Sequence, residues 1–273
     1  MTALVGIVNL TTDSFSDGGR YLDRDAAIAH GERLLEDGAT WLDLGAESSN
    51  PDGAPVPDDE QIARLAPVLD HFARAGVNLA VDTHRPAVMA AALAHGARMI
   101  NDISALADPA AVTLLARHQV PVVIMHARNR GVRADRRPQP HVGIVDEIAG
   151  FFRARVAALA SAGIETHRLI LDPGMGFFLG ANPEPSLAAL AGLSHLATLV
   201  NRPLYVSCSR KSFVGHVTGR PPAERGAGTL GAELWALRAG VSYLRTHDVR
   251  AVADAWRVWQ AIESVGRGGA AAS

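Results

Sequence analysis

After each of eight short apolar runs the chain carries a polar side chain with chemistry to offer. Asn9 ends the first run, Asp43 and Glu47 follow in the second, Asp82 ends the third, and Asn101 with Asp102 ends the fourth. His126 closes the fifth, Asp172 the sixth, Ser207 to Lys211 the seventh, and Arg245 with His247 the eighth. These residues divide by type. Asp82, Asn101 and Asp172 offer acceptors and an amide suited to gripping a planar heterocycle by its ring N–H and amino edges, because one carboxylate takes two such donors at once. Arg210, Lys211, Arg245 and His247 predict an anion site. Asn9 precedes a polar loop, Thr11 to Gly19, and adds an oxygen of the kind Mg²⁺ favours when it is shared between protein and diphosphate. Asp43, Asp102 and His126 read equally well as satisfied structural groups.

Lys211 stands out by composition. Of 26 basic residues it is the only lysine, so this position kept a compact ammonium where the rest of the chain uses guanidinium.

What positions these groups is a repeated unit. The runs Leu4–Leu10, Thr40–Gly45, Val77–Thr83, Arg98–Ile103, Pro121–His126, Arg168–Asp172, Pro203–Ser209 and Val241–His247 are continuous rather than alternating, as expected of strands buried on both faces. Segments with helical periodicity follow each run: Arg24–Asp37, Asp59–Ala75, Pro86–His95, Pro109–His118, Ile144–Ala162, Pro185–Val200, Ala223–Ala239 and Val249–Val265. Gly38, Gly76, Gly96, Gly163 and Gly240 sit just past five of them, where helices end on a left-handed residue. Eight such units predict an α/β TIM (β/α)8 barrel filling residues 1–265 as one domain, with 266–273 a flexible C-terminal tail. A doubly wound open sheet is the alternative, but the units use the whole chain and leave no second domain. In a barrel the groups at the C-terminal strand ends are the ones that meet substrate, with phosphate most often bound after strands seven and eight. The polar residues obey both rules.

Composition excludes other classes. The 273 residues are 48% hydrophobic and 20% charged, which rules out disorder and coiled coil. Net charge is −2, without the one-sided field of a nucleic-acid binder, and the arginines between Arg128 and Arg137 lack interleaved aromatics. No nucleic-acid partner is expected. No apolar run approaches the roughly 18 residues of a membrane span, the only cysteine is Cys208, and the start lacks a basic, apolar leader, so a cytoplasmic protein without membrane association is expected. Gly226 to Gly231 spells a dinucleotide fingerprint but falls inside a helical segment instead of a strand-to-helix turn. The eleven histidines show no zinc spacing.

Six motifs together resemble the dihydropteroate synthase family: Gly6 to Gly19 with Asn9 and Asp13, Val81-Asp82-Thr83, Asn101-Asp102-Ile103, Asp172 to Phe177, Ser209 to Ser212, and Arg245 to Asp248. The resemblance spans about residues 4 to 260 and implies condensation of 6-hydroxymethyl-7,8-dihydropterin diphosphate with 4-aminobenzoate, releasing diphosphate and forming 7,8-dihydropteroate for folate synthesis. By this resemblance Asp82, Asn101, Asp172 and Lys211 contact the pterin. Asn9, Arg245 and His247 hold the diphosphate, with Asn9 on Mg²⁺, and Phe177, Phe178, Arg210, Lys211 and Ser212 form the aminobenzoate side. The catalytic group is Asp82, Lys211, Arg245 and His247. A homodimer is implied, and Trp235, Trp256 and Trp259 on the last helices suit a subunit contact. Asn50 stands where family members carry arginine, and Phe178-Leu179 where they carry a small residue and lysine, in the loop and wall that the resemblance places around aminobenzoate. These departures are similar to the sulfonamide-insensitive Sul-type branch and predict weak inhibition by sulfonamides. Two other readings are a corrinoid-linked methyltransferase domain, against which the diphosphate-side cations argue, and a pterin-binding paralogue that has lost catalysis.

Overall fold

The computed structural model describes residues 2–10, 20–48, 55–128 and 136–270. Asn50, the Thr11 to Gly19 loop and part of the Arg128–Arg137 cluster therefore lie outside the described residues. Eight strands and ten helices are seen among those described. In chain order they are β1 (Ala3–Asn9), α1 (Arg20–Glu36), β2 (Trp41–Gly45), α2 (Asp58–Arg74), β3 (Leu79–Asp82), α3 (Pro86–Ala94), β4 (Met99–Asp102), α4 (Pro109–Leu115), β5 (Val122–Met125), α5 (Ile144–Ser161), β6 (Leu169–Asp172), α6 (Glu184–Ala191), α7 (Leu193–Val200), β7 (Tyr205–Val206), α8 (Ser212–Thr218), α9 (Gly226–Arg238), β8 (Tyr243–Thr246) and α10 (Val249–Ala270).

All pairings are parallel, in the order β6-β5-β4-β3-β2-β1-β8-β7. A bridge between Leu171 and Leu204, with the Leu171 N–H donating to the Pro203 carbonyl at 2.9 Å, joins the two ends into a ring. The expected barrel is what the chain forms. Helices cover it because βα crossovers place them on the outer face, so each strand is buried on both sides.

Side chains alternate in and out along a strand. The outward residues, among them Leu42, Leu79, Val81, Ile100, Ile124, Leu169, Val206 and Leu244, join the helices in one large core. The inward ones form a second, smaller cluster with one residue from every strand: Val5, Trp41, Ala80, Met99, Val123, Ile170, Tyr205 and Tyr243. This ring is an apolar floor across the lumen. Counting two residues onward from each member gives Ile7, Asp43, Asp82, Asn101, Met125, Asp172, Ser207 and Arg245, the tier that faces up from the floor. The polar residues at the strand ends are thus gathered by simple period-two arithmetic.

Three helical expectations differ. The segment Pro185–Val200 is two helices, α6 and α7, broken at Gly192; a Cβ there would lie 2.4 Å from Val145 Cγ2 of α5, so the close approach of α5 fixes the break. The seven-residue α8 is too short to show periodicity. Finally, α10 continues past Val265 to Ala270.

Candidate active site

Asp43 is the centre of the polar tier. It is fully buried, and its Oδ2 accepts from Arg245 Nε at 2.5 Å, Asn101 Nδ2 at 3.0 Å and the Tyr205 hydroxyl at 3.2 Å. Its Oδ1 has no hydrogen-bond partner among the described residues. Arg245 Nη2 reaches on to Asp82 Oδ2 at 3.1 Å, so one guanidinium fork bridges two carboxylates from β2 and β3. Burial works against the Arg245 charge, but Asp43 and Asp82 outweigh it and hold its pKa above the usual value.

The second carboxylate is more open, with a quarter of the Asp82 side chain exposed. Burial, reinforced by the Asp43 charge and opposed by Arg245, pushes its pKa up to about 7. Across the lumen Asp172 is pushed up to about 6 by burial, with the Gly174 N–H and Lys211 pulling the other way. The backbone here is specific to glycine: Gly174 has φ +75°, and a Cβ would lie 2.2 Å from the His126 carbonyl oxygen. The tight turn lets the Gly174 N–H donate to Asp172 Oδ1 at 2.8 Å, which fixes the carboxylate's orientation.

Lys211 follows β7 and is held between these groups. Burial and the Arg245 charge lower its pKa, Asp172 and Asp82 raise it, and burial prevails. Its Nζ stands 5.4 Å above the Phe178 ring, a cation–π contact. Phe178 itself is buried with Met125, while Phe177 is half-buried and lies beneath the Arg136 guanidinium at 5.9 Å. Leu179, expected on the aminobenzoate wall, is not there: it is fully buried in the outer core, packed toward Gly174. Arg210 is exposed in a left-handed conformation (φ +57°), with its N–H donating to Thr229 Oγ1 at 3.0 Å and its carbonyl accepting from Arg225 Nη1 at 2.9 Å. Ser212 is buried at the start of α8, beside Gly176.

His247 needs a revised role. Burial, then the positive charges of Arg245, Arg210 and Lys211, push its pKa down to about 3, so it is a neutral imidazole and not a cation. The Ser209 Oγ lies 2.9 Å from Nδ1 and also accepts the His247 backbone N–H at 3.2 Å. That geometry favours a Ser209 hydroxyl donating to Nδ1, with the ring proton on Nε2 available to an anion. Asn9, half-buried, ends β1 opposite Gly45.

The expected site residues Asp82, Asn101, Asp172, Lys211 and Arg245 are therefore brought together, with Asn9 and His247 one tier above. Asp43, which the sequence leaves open between a structural and a chemical role, Ser209, which it gives only as part of a motif, and Tyr205, which it does not name, also line this part of the lumen. Placing the strands in register finds them, since each is two residues from an inward-facing neighbour. Two other strand-end groups are structural. Asp102 faces outward and accepts the Ser104 and Leu106 N–H groups at 2.6 and 2.9 Å. His126 is buried, with Nε2 3.4 Å from Glu147 and its ring edge-on to Phe151.

A family model described as pterin binding enzyme matches residues 5–247. The dihydropteroate synthase type-2 of Escherichia coli is 49% identical over 264 residues, 97% of each chain. The chain belongs to the dihydropteroate synthase family. Among solved dihydropteroate synthases, the Xanthomonas albilineans protein with 4-aminobenzoic acid superposes with a TM-score of 0.87 at 40% identity, covering 96% of this chain and 93% of that one. The same organism's dihydropteroate synthase in complex with 7,8-dihydropteroate gives 0.83 at 42% identity, covering 96% and 94%.

Proposed function

We infer that this chain condenses 6-hydroxymethyl-7,8-dihydropterin diphosphate with 4-aminobenzoate to give 7,8-dihydropteroate and diphosphate. The observation that carries the reading is the inward tier itself, with Asp82, Asn101 and Asp172 facing Lys211 and Arg245. In the residue assignment we propose, Asp172, Asn101, Asp82 and Lys211 hold the pterin edge; Asn9, Arg245 and His247 meet the diphosphate; Phe177, Phe178, Arg210, Lys211 and Ser212 surround the aminobenzoate.

Chemically, the bond between the pterin's exocyclic carbon and the diphosphate oxygen breaks, a bond to the arylamine nitrogen forms, and the amine loses a proton. Ionised Asp82 and Asp172 favour positive charge on the pterin as the leaving group departs. Neutral His247 donates to the departing anion without competing with Lys211 for negative charge. Lys211 and Phe178 fix the place from which the amine attacks, so that geometry replaces a protein nucleophile. Cys208 is fully buried and its thiol is pushed well above its usual pKa by burial, which removes it as a nucleophile.

Mg²⁺ fits this site only in company. Among the described residues no three acidic, histidine or cysteine side chains are placed to hold a metal ion by themselves. Asn9 gives one amide oxygen, and the remaining oxygens would come from diphosphate and water, the mixed shell Mg²⁺ accepts. Bound so, the ion would draw charge from the leaving group.

The Phe178-Leu179 pair and Asn50 support membership of the sulfonamide-insensitive branch. A homodimer fits the apolar surface of the last helices, where Trp235 is half exposed and Val258, Ile262 and Val265 form an exposed row on α10. Among the described residues no helix is long and apolar enough to cross a membrane. Purified protein given pterin diphosphate, 4-aminobenzoate and Mg²⁺ should form dihydropteroate and release diphosphate in equal amounts. Pterin binding without turnover would point to a non-catalytic paralogue and sink the reading.

A further inference from the structure

Lys211 enters the lumen from a stretch of backbone that is unusual on both sides. The residue before it, Arg210, is left-handed at φ +57° although it is not glycine, a conformation that persists only where the surroundings impose it. The helix after it, α8, is seven residues long and has no side-chain cap at its start, because Lys211 occupies the N-cap position and sends its ammonium over the Phe178 ring instead. A helix so short is marginal by itself. Contacts from outside the segment must hold it.

Those contacts come from α9 and the residue before it. The buried Thr229 accepts the Arg210 N–H on Oγ1 at 3.0 Å. Arg225, half-buried, gives its guanidinium to three backbone carbonyls: Nη1 donates to Arg210 at 2.9 Å and to Lys211 at 3.3 Å, and Nε donates to Arg220 at 3.0 Å. Arg210 and Lys211 precede α8 and Arg220 follows it, so one planar fork ties the two ends of the helix together. Gly215 makes room for the fork. A Cβ there would lie 2.3 Å from Arg225 Nη2 and 2.4 Å from Cζ, and Gly215 is not among the glycines with positive φ, so space and not backbone conformation is what this glycine supplies.

We propose that Arg225 is a positioning residue for the reaction: by clamping the Arg210 and Lys211 carbonyls it sets where the Lys211 ammonium stands. This rests on the assignment of Lys211 to both substrates made above. A lysine side chain is a point charge on a flexible stem, so its own geometry does not fix the charge; the place from which the stem starts does. With the clamp closed, Nζ stands 5.4 Å above the Phe178 ring and feels Asp172, Asp82 and Arg245 together. With the clamp open, Arg210 is free to leave its left-handed conformation, and the start of the stem moves with it.

The test exploits the composition of the chain. It has a single lysine, so full-length protein carrying lysine labelled with carbon-13 at Cε gives one side-chain resonance, that of Lys211. Two substitutions displace the guanidinium in different ways. Arg225→Ala removes it, whereas Gly215→Ala pushes it aside with a methyl group while raising helix propensity, so the second variant should melt close to the parent. In both, the Lys211 resonance should move and its titration midpoint should rise toward that of an ordinary lysine. Turnover should fall about tenfold, the size of one internal hydrogen bond, with the KM for pterin diphosphate unchanged. Millimolar guanidinium, far below denaturing concentrations, should restore resonance and turnover in Arg225→Ala, where the space is open, and not in Gly215→Ala, where the methyl fills it. A Lys211 resonance unmoved in both variants overturns the proposal. So does turnover within about twofold of the parent in both, below the scale of a hydrogen bond. A loss in Arg225→Ala that tracks its melting temperature and that guanidinium does not relieve overturns it too. A parent that forms no dihydropteroate would sink the functional reading instead, and the lysine resonance would still decide whether Arg225 sets the place of Lys211.

Discussion

Asp43→Asn tests the polar tier at its centre. The amide keeps the shape and one oxygen, so Asn101 and the Tyr205 hydroxyl can still donate to it, while the Arg245 Nε contact at 2.5 Å loses its counter-charge. Complete loss of a partner from a buried pair costs about 3–5 kcal/mol. Here Arg245 keeps Asp82 through Nη2, so the cost should be that of one charge-assisted hydrogen bond, about 2 kcal/mol. For a chain of this size that is a fall in melting temperature of roughly 4–8 °C. A second effect runs the other way in pH. Burial pushes the Asp82 pKa up to about 7, with Arg245 opposing it and the Asp43 charge adding to it. Removing the Asp43 charge drops that addition and leaves Arg245 more fully to Asp82, so the Asp82 pKa must fall. The acidic limb of the activity profile should move to lower pH by about one unit, equal to roughly 1.4 kcal/mol of altered interaction. Thermal melts at pH 8 and kcat/KM from pH 5 to 9 measure both. An unchanged melting temperature with an unmoved acidic limb would show that Asp43 is a bystander.

Asp172→Ala should weaken pterin binding by about 2–4 kcal/mol in calorimetry, because it strands buried donors; near-parent affinity refutes its role. Lys211→Arg should lose at least about tenfold in turnover with the fold intact, since a planar fork cannot replace a compact ammonium above the Phe178 ring. Pterin affinity should fall as pH drops through 7 and 6, where Asp82 and Asp172 take up protons and cease to be pure acceptors. Stability of the ligand-free protein runs the other way: both folded pKa values lie above the unfolded value of 3.8, so the folded state binds protons more tightly and loses stability as pH rises from about 4 to 7. Sulfonamides should inhibit weakly beside a normal Michaelis constant for 4-aminobenzoate, and Phe178→Gly should tighten inhibition by about tenfold through relief of a clash. Strong inhibition of the parent would end that idea.

The strands were legible because burial on both faces forces continuous apolar runs, and all eight are where those runs lie. Their lengths were not. Only Tyr205–Val206 of the seventh run pairs as strand, because β7 meets β6 through a single bridge and apolar composition does not report pairing. Asp82, Asn101 and Asp172 were readable as site residues from type and strand-end position. Asp43 was harder because it sits two residues before the end of its strand, and its role depends on Arg245, 202 residues away. Leu179 illustrates the opposite failure. Its position in a motif suggested the pocket wall, but the turn at Gly174 to Gly176, with both glycines at positive φ, rotates it into the core. His247 was read with the cations from its type alone, whereas the burial that chiefly neutralises it, and the fields of Arg245, Arg210 and Lys211 that add to it, arise only on folding.

The apolar floor of the barrel has a consequence for how the enzyme can diversify. Water cannot approach the polar tier from beneath, so carboxylates and cations there act on one another through a poorly polarisable slab, and their charges are weakly screened. Such a layer is intolerant of change: a larger residue at Ala80 or a hydrophilic one at Met99 would tilt or hydrate the whole charged tier. The loops above carry no such constraint. Variation in what competes with aminobenzoate can therefore accumulate at the rim, around Phe177 and Phe178, while the electrostatics that ionise the pterin are inherited unchanged from the layer below.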